Sequence, residues 1–290
     1  MSGLAGRGDM ARCIPGAGAL AWERTGRGAP VLLLHGLGGE RHGWQPLLER
    51  LAGEFELWAI DLPGFGGSPP LPAAVAPGPE ELAEAAAGFV RAHALPSPLP
   101  VVGHSLGGWI ALELARRGLA SSVVAIAPGG WWTERERRRT SALLRASVRL
   151  ARALRPLVPR LLRPAPLRTL LLAHMVHRPW RMPAPAAVRA VQSFAAAPGF
   201  DATLAAIDRP GCRLQRPEEI ASPVTLVWGR DDLLLPVRQS RRAASRLPRL
   251  RALIRLPRCG HAVMWDAPAA LAGAVRAALG HRACRRNTPD

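Results

Sequence analysis

The sequence predicts an α/β fold, in which a mostly parallel sheet is flanked by helices and interrupted by an all-helical insertion. Short apolar, β-branched runs alternate with helix-like stretches over most of the 290 residues, which is typical of βαβ units. The alternation stops between residues 131 and 217, where no strand-like run occurs. With 48% hydrophobic residues, the chain is long enough to bury one large core.

Six apolar runs predict buried parallel strands, and one run at the start predicts an antiparallel edge strand. The edge strand is expected at 17–24, and the buried strands at 31–34, 56–60, 99–102, 122–126, 224–228 and 251–256. Between them, helices are expected at about 44–52, 79–95, 106–117, 236–247 and 267–280. This order predicts that each buried strand returns to the same sheet through a helix.

The domain boundaries follow from where the alternation stops and resumes. Residues 16–130 and 218–281 are predicted to form the two parts of the core, and residues 131–217 a helical lid. Within 141–154, leucine and alanine recur at helical spacing with arginines between them. Prolines between 156 and 185 should divide the rest of the lid into short helices.

The formal net charge of +18 would ordinarily suggest a nucleic-acid partner. However, all 39 basic residues are arginine, and this composition, rich in alanine, proline and glycine, is typical of a GC-rich genome. Nucleic acid is therefore not expected as a partner. An anionic substrate or a membrane surface would still be attracted by the charge.

The predicted lid concentrates this charge, with 13 arginines and two acidic residues, Glu134 and Glu136, between residues 131 and 182. Such a surface could be an ordinary solvated face in an arginine-only protein. It could also receive an anionic substrate, a carrier-protein thioester or a lipid headgroup, so peripheral membrane contact by the lid stays open.

Cellular location is expected to be cytoplasmic. No apolar run is long enough for a transmembrane helix, and residues 1–15 lack the apolar segment of a secretory signal. The four cysteines, Cys13, Cys212, Cys259 and Cys284, show no paired spacing and are interpreted as reduced thiols.

A nucleophile is predicted at Ser105, in the motif Gly-His-Ser-Leu-Gly between a predicted strand and a predicted helix. A serine at a sharp strand-to-helix turn has a strained backbone, which exposes its hydroxyl group. Gly103 and Gly107 satisfy the requirement for small residues on both sides of that turn. The helix N-terminus also favours developing negative charge.

An oxyanion hole is predicted from two backbone amides, those of Leu37 and Leu106. Leu37 lies in His-Gly-Leu-Gly-Gly directly after the strand at 31–34, where glycines let the backbone pass close to the nucleophile. His35 in the same motif is expected to be a structural hydrogen-bonding group.

A general base and an orienting carboxylate are needed because a serine alkoxide is inaccessible at neutral pH. His261 follows the last strand and is the expected base, whereas His104, beside the nucleophile, should point away from the hydroxyl. Asp231 and Asp232 both follow the strand at 224–228 and compete for the role of the carboxylate. The chain order Ser, Asp, His is the one this type of fold uses.

Five segments together resemble the α/β-hydrolase superfamily, in particular its esterase, lipase and C–C-hydrolase branches with a helical lid. They are LLLHGLGG, DLPGFGGSPP, GHSLGGWIALELA, WGRDD and CGH, within about 20–130 and 218–280. The resemblance implies an eight-stranded sheet and assigns the acid to Asp232. Serine at position 105 argues against the dehalogenase and epoxide-hydrolase branches, which have aspartate there.

The expected function is hydrolysis of an ester-like bond, a carboxylic ester or a thioester, in a small apolar acyl substrate through an acyl-serine intermediate. Trp109, Trp131 and Trp132 are candidates for the wall of the acyl pocket, or for ordinary packing between lid and core. No cofactor and no metal ion are expected. A C–C bond hydrolase and a non-catalytic binding or accessory protein on the same scaffold are the alternatives.

Overall fold

A computed structural model describes residues 19–280. The glycine-rich start, Cys13, Cys284 and the first two positions of the predicted edge strand lie outside the described residues. Within them there are seven strands: β1 Trp22–Gly26, β2 Ala29–Leu34, β3 Phe55–Ile60, β4 Leu99–His104, β5 Ala120–Ile126, β6 Val224–Gly229 and β7 Leu250–Leu256.

Eleven α-helices accompany the strands in the described part of the chain. They are α1 Gln45–Leu51, α2 Pro79–Ala92, α3 Leu106–Arg116, α4 Glu134–Ala153, α5 Val158–Leu161, α6 Ala165–Leu172, α7 Ala184–Ala196, α8 Phe200–Ile207, α9 Gln239–Ala244, α10 Val263–Asp266 and α11 Pro268–Leu279. Each predicted core helix is present within a few residues of its expected bounds. None of the helices described is long and apolar enough to cross a bilayer.

The seven strands form one sheet in the order β1-β3-β2-β4-β5-β6-β7, and all neighbours are parallel except β1 and β3. From β2 the chain first adds β3 on one side, and later adds β5, β6 and β7 on the other side of β4. The direction in which successive strands are added to the sheet therefore reverses between β2 and β4. Ligands of open α/β sheets bind at such a point, beside the carboxyl ends of the strands.

Both faces of the sheet are buried, which explains the continuous apolar runs of its strands. Successive residues of β5 alternate between the faces, with Val123 and Ala125 in one core cluster and Val124 and Ile126 in the other. Helices α2, α3 and α9 cover the first face, and α1 and α11 cover the second. The predicted α/β fold is confirmed.

The expectation of eight strands is wrong for the described residues, which contain seven. All seven strands that the sequence pattern predicts are present, with β1 at Trp22–Gly26 as the antiparallel edge. The eighth strand came from the family resemblance alone, and no apolar run in residues 19–280 was left to form it. The alternation of residue types thus predicted the number of strands in the described residues better than the family resemblance did.

The segment 131–217, hereafter the insertion, connects β5 to β6 and contains helices α4 to α8 with no strand. Its first helix begins with a capping box, in which Thr133 and Glu136 bond each other's backbone amides. The same Glu136 carboxylate forms ion pairs with Arg238 and Arg242 of the core. The insertion therefore starts from a fixed point on the core.

Candidate active site

A cavity of about 950 Å³ lies between the carboxyl edge of the sheet and the insertion. The residues after β2, β4 and β7 contribute to its floor, and α4, α6 and α7 contribute to its walls. Ser105, His261, Leu37 and Leu106 all line this cavity. The sheet therefore brings residues that are far apart in the sequence to one place.

Ser105 occupies the turn between β4 and α3, with φ 55° and ψ −113°. This left-handed backbone is costly for a residue with a side chain, by about 1–3 kcal/mol, and such strain is common at functional positions. The Ser105 amide donates to the carbonyl of Ile126 at 2.8 Å, which holds the turn against β5. The strained turn predicted from the sequence is present.

The glycines around Ser105 are required by close backbone contacts. A Cβ atom on Gly103 would collide with the carbonyl of Gly107, and a Cβ atom on Gly107 would collide with the carbonyl of Leu34. On the facing loop, a Cβ atom on Gly36 would lie 3.1 Å from the Cβ atom of Ser105. The loops after β2 and β4 can approach each other only with glycine at these positions.

His261 and Asp232 form a buried pair at the same edge. The Nδ1 atom of His261 lies 2.8 Å from Oδ2 of Asp232, and both side chains are at most 1% exposed. The other carboxylate oxygen, Oδ1, accepts the amides of Leu234 and Leu235 at 2.9 and 2.7 Å. Asp232 is thus held in one orientation and fixes which ring nitrogen of His261 faces the cavity.

Asp231, the competing carboxylate, points elsewhere. Its side chain is 44% exposed and lies 3.5 Å from His177 of the insertion. It also accepts the amide of Cys259 at 3.2 Å. The structure therefore brings Asp232, and not Asp231, to His261.

The two other histidines in the motifs have structural contacts. His104 Nε2 lies 3.0 Å from the carbonyl of His261, and the two ring centroids are 4.6 Å apart. Burial, with a smaller contribution from His261, holds the pKa of His104 well below its usual value. His35 Nε2 accepts the amide of Leu62 at 2.9 Å, and burial lowers its pKa as well. His104 therefore braces the backbone of His261 and does not point towards Ser105.

Leu37 and Leu106, the two residues whose amides are predicted to bind an oxyanion, line the same cavity as Ser105. Leu106 is the first residue of α3, where helix geometry leaves the amide without an intrahelical acceptor. Neither amide donates a hydrogen bond to another group within residues 19–280. Two free donors therefore accompany the serine in the wall of the cavity.

Ser105 and His261 share the cavity, but no hydrogen bond joins them in the part of the chain that is described. Catalytic hydrogen bonds in enzymes without substrate are often long and shorten only when substrate binds. The structure thus brings His261 and Asp232 into direct contact and places Ser105 in the wall of the cavity that His261 also lines.

Two of the three candidate pocket tryptophans line the cavity. Trp109 and Trp132 are in its wall, with ring centroids 5.6 Å apart, and Trp132 Nε1 donates to the carbonyl of Cys212 at 2.8 Å. Trp131 does not line it, so its candidate role in the pocket wall is wrong and the alternative of ordinary packing applies. Its side chain is buried in the core cluster instead, because neighbouring residues of this irregular segment face different sides.

Several contacts at the site were missed by sequence reasoning. Met175 of the insertion accepts the amide of Ala262 at 2.8 Å, directly after His261. Asp266 accepts the amides of Gly260 at 2.8 Å and of His177 and Arg178 at 2.8 and 2.9 Å. These contacts join the loop of His261 to the insertion. His177 and Asp266 are 89 positions apart in the sequence, and no local motif identifies such a pair.

The two cysteines within the described residues are free thiols. Cys259 is fully buried, and burial together with nearby carboxylates raises its pKa to about 12. Burial also raises the pKa of Cys212. A neutral buried thiol is a poor nucleophile, so Ser105 has no competitor from Cys259. No group of metal-ligating side chains occurs within residues 19–280.

Comparison with known proteins agrees with this architecture. A sequence profile of the Alpha/beta hydrolase family matches residues 31–274. The chain therefore belongs to the α/β-hydrolase family, and it is a hydrolase.

Among curated proteins, the chain is similar to the pimeloyl-(acyl-carrier protein) methyl ester esterases. That of Vibrio vulnificus is 41% identical over 96 residues, which are 33% of this chain and 34% of the relative. That of Chromobacterium violaceum is 41% identical over 95 residues, with the same shares. The match thus spans about a third of the length of these relatives.

Solved structures share the fold over most of the chain. A thermophilic esterase from Thermogutta terrifontis has a TM-score of 0.70 and 23% identity, covering 90% of this chain and 93% of its own. A membrane phospholipase A, described as a bacterial virulence factor, has a TM-score of 0.70 and 26% identity, covering 90% of this chain and 82% of its own.

Proposed function

We propose that this chain is a serine hydrolase that cleaves a carboxylic ester or thioester of an apolar acyl group through an acyl-serine intermediate. The observation that carries the proposal is the strained Ser105 turn in the same cavity as the His261–Asp232 pair. The esterase relatives support the same type of reaction, although they match only a third of the chain.

In the first half of the proposed reaction, Ser105 Oγ attacks the carbonyl carbon of the ester. His261 Nε2 accepts the hydroxyl proton and then passes it to the leaving alcohol or thiol. Asp232 accepts the hydrogen bond from Nδ1–H of His261, remains ionised, and stabilises the imidazolium while Nε2 holds the proton. The products of this half are the acyl-serine and the free alcohol or thiol.

The amides of Leu37 and Leu106 are proposed to bind the oxyanion of both tetrahedral intermediates. Loss of one such donor typically slows acyl transfer by about 10²- to 10³-fold. In the second half, water gives a proton to His261 and attacks the acyl carbon. The carboxylic acid leaves, and the proton returns to Ser105.

The insertion is proposed to act as the cap of the active site and to select the acyl group. Apolar side chains from it dominate the upper wall of the cavity, including Leu143, Leu144, Leu161, Leu171, Leu172 and Phe194. A volume of about 950 Å³ is at the upper end of the range for small-molecule sites. An extended acyl chain fits such a wall better than a polar substrate.

The first experiment tests the nucleophile. Wild-type protein should react with a fluorophosphonate probe and hydrolyse p-nitrophenyl esters, and Ser105→Ala should do neither. Ser193→Ala is the matched control, because Ser193 lines the same cavity away from the strained turn. Labelling or turnover that survives in Ser105→Ala would disprove the proposal, and an unlabelled wild-type protein would favour a non-catalytic binding protein.

The second experiment tests the substrate class with esters and thioesters of increasing acyl length. Each additional buried methylene should raise kcat/KM by about fourfold until the cavity is filled. A vinylogous diketone in the same series tests the alternative of C–C bond hydrolysis. A kcat/KM that falls with chain length would contradict an acyl-binding role for the cavity.

A further inference from the structure

The insertion carries an unbalanced positive charge. Residues 137–200 contain 13 arginines and no aspartate or glutamate. Eight of these arginines are exposed and form no ion pair within the described residues: Arg138, Arg139, Arg149, Arg155, Arg160, Arg163, Arg181 and Arg189. In the core, by contrast, arginines such as Arg41, Arg116 and Arg276 have carboxylate partners.

The same segment exposes large apolar side chains. Seven are exposed in residues 19–280, and five of them lie between positions 150 and 180. They are Leu150 at 50%, Leu157 at 43%, Leu167 at 39%, Leu170 at 75% and Trp180 at 50% exposure. A group of exposed apolar side chains usually marks an interaction site.

The elements that carry these residues pack on a shared apolar cluster. Val158 of α5, Leu171 of α6, Met182 beside Trp180, and Ala187 of α7 form a separate apolar core within the insertion. Arg168 of α6 also donates to the carbonyl of Trp180 at 3.3 Å. The exposed side chains of this region therefore belong to elements that pack against one another.

Compositional bias towards arginine does not explain this surface. Such a bias adds arginine throughout the chain, but it neither removes every acidic residue from one segment nor exposes leucine and tryptophan there. Exposed apolar side chains surrounded by unpaired cations are typical of segments that lie in the interface of a negatively charged bilayer.

We propose that this surface, the docking surface, binds peripherally to a bilayer that contains anionic lipid. It comprises Leu157, Leu167, Trp180 and the exposed arginines Arg160, Arg163 and Arg181, with Leu150 and Leu170 at its border. The arginines pair with lipid headgroups, and the apolar side chains enter the headgroup region.

The docking surface adjoins the proposed active site. Leu150 and Leu170 are exposed and also line the cavity, so the surface reaches the cavity wall. Transfer of an acyl chain from the bilayer into the cavity would follow, and that step alone rests on the proposed function. Docking itself does not require Ser105.

The test uses full-length protein with Ser105→Ala, so that no lipid is hydrolysed. Co-sedimentation is measured with vesicles of phosphatidylcholine alone and of an equal mixture of phosphatidylcholine and phosphatidylglycerol. The protein should bind the mixed vesicles much more strongly, and less so at high salt. The triple variant Arg160→Gln, Arg163→Gln and Arg181→Gln should bind about a hundredfold more weakly, at about fivefold per arginine.

The matched control removes the same charge from exposed, unpaired core arginines, with Arg241→Gln, Arg249→Gln and Arg251→Gln. It should keep most of the binding. The double variant Leu167→Ser and Trp180→Ser should weaken the binding that remains at high salt, because that part is apolar.

Three outcomes would overturn the proposal: equal binding to both kinds of vesicle, equal losses in the two triple variants, or no effect of the apolar double variant. An acidic acyl-carrier protein is the rival occupant. If such a protein bound and lost its binding in the first triple variant while vesicle binding did not change, the surface would be a protein-docking site instead. Loss of esterase activity in Ser105→Ala tests the proposed function separately.

Discussion

The strand edge and the insertion face the same cavity but are built differently. At the strand edge, polar side chains have defined partners: Asp232 holds His261 and two amides, and His104 bonds the backbone of His261. In the insertion, many arginines have no carboxylate partner among residues 19–280, and leucines face solvent. The hydrogen bonds at the strand edge hold its side chains in one geometry, whereas the insertion leaves charged and apolar side chains exposed.

The largest effect that would test this contrast comes from the two adjacent aspartates. Asp232→Asn should lower kcat by about 10⁴-fold, because the amide cannot hold His261 in the required tautomer. Asp231→Asn should change kcat only a few-fold, since Asp231 is half-exposed and contacts His177. Steady-state kinetics on one ester measures both. Similar losses in the two variants would remove the assignment of Asp232 as the orienting acid.

The next largest effect concerns stability. Gly103→Ala places a Cβ atom against the Gly107 carbonyl and should lower the free energy of unfolding by about 3 kcal/mol. Leu170→Ala in the insertion should change it by less than about 0.5 kcal/mol, because Leu170 is 75% exposed. Urea denaturation of both variants measures the difference. A tolerated alanine at position 103 would show that the turn is not tightly packed.

The strand edge was also the part that sequence reasoning could predict. Each chemical motif follows an apolar run, and parallel strands collect their carboxyl ends at one edge. The contact between His261 and Asp232 could therefore be anticipated, although the motif left Asp231 open. The local pattern also identified all seven strands within the described residues, whereas the eighth strand implied by the family resemblance is not among them.

The insertion was predictable only in its helical content. Its leucine spacing predicted a helix at 141–154, and α4 spans Glu134–Ala153. Whether Trp131 or Trp132 faces the cavity depends on the path of an irregular segment, which has no periodicity to read. The contacts of Asp266 with His177 and Arg178 join distant parts of the chain and arise only from tertiary packing.

A third comparison of the strand edge with the insertion uses the pH dependence of stability to test the buried histidines of each region. Burial lowers the pKa of His104 at the edge well below 6.5, and burial also lowers the pKa of His174 in the insertion. In the unfolded chain these groups take up protons near pH 6.5, before the folded chain does. The free energy of unfolding should therefore decrease as pH falls below about 6.5.

Urea titrations across that pH range measure this loss of stability. His104→Gln should flatten the pH dependence more than His174→Gln, because the pKa of His104 is lowered further. An equal flattening would mean that the two regions bury their histidines to the same extent. An unchanged slope in both variants would contradict the assignment of neutral, buried imidazoles.

The smallest effect concerns the attachment between the two regions. Glu136 is 6% exposed, and its partners Arg238 and Arg242 are 60% and 37% exposed. Glu136→Gln should lower the free energy of unfolding by only about 1 kcal/mol, because both guanidinium groups can be solvated when the carboxylate is lost. Limited proteolysis should nevertheless cut the insertion faster in this variant, since the start of α4 loses its ion pairs to the core.

Glu218→Gln is the control, because its pair with Arg246 is long, at 3.8 Å, and lies on the surface. If the insertion of Glu136→Gln were cut no faster than that of Glu218→Gln, its position on the core would be set by apolar packing alone.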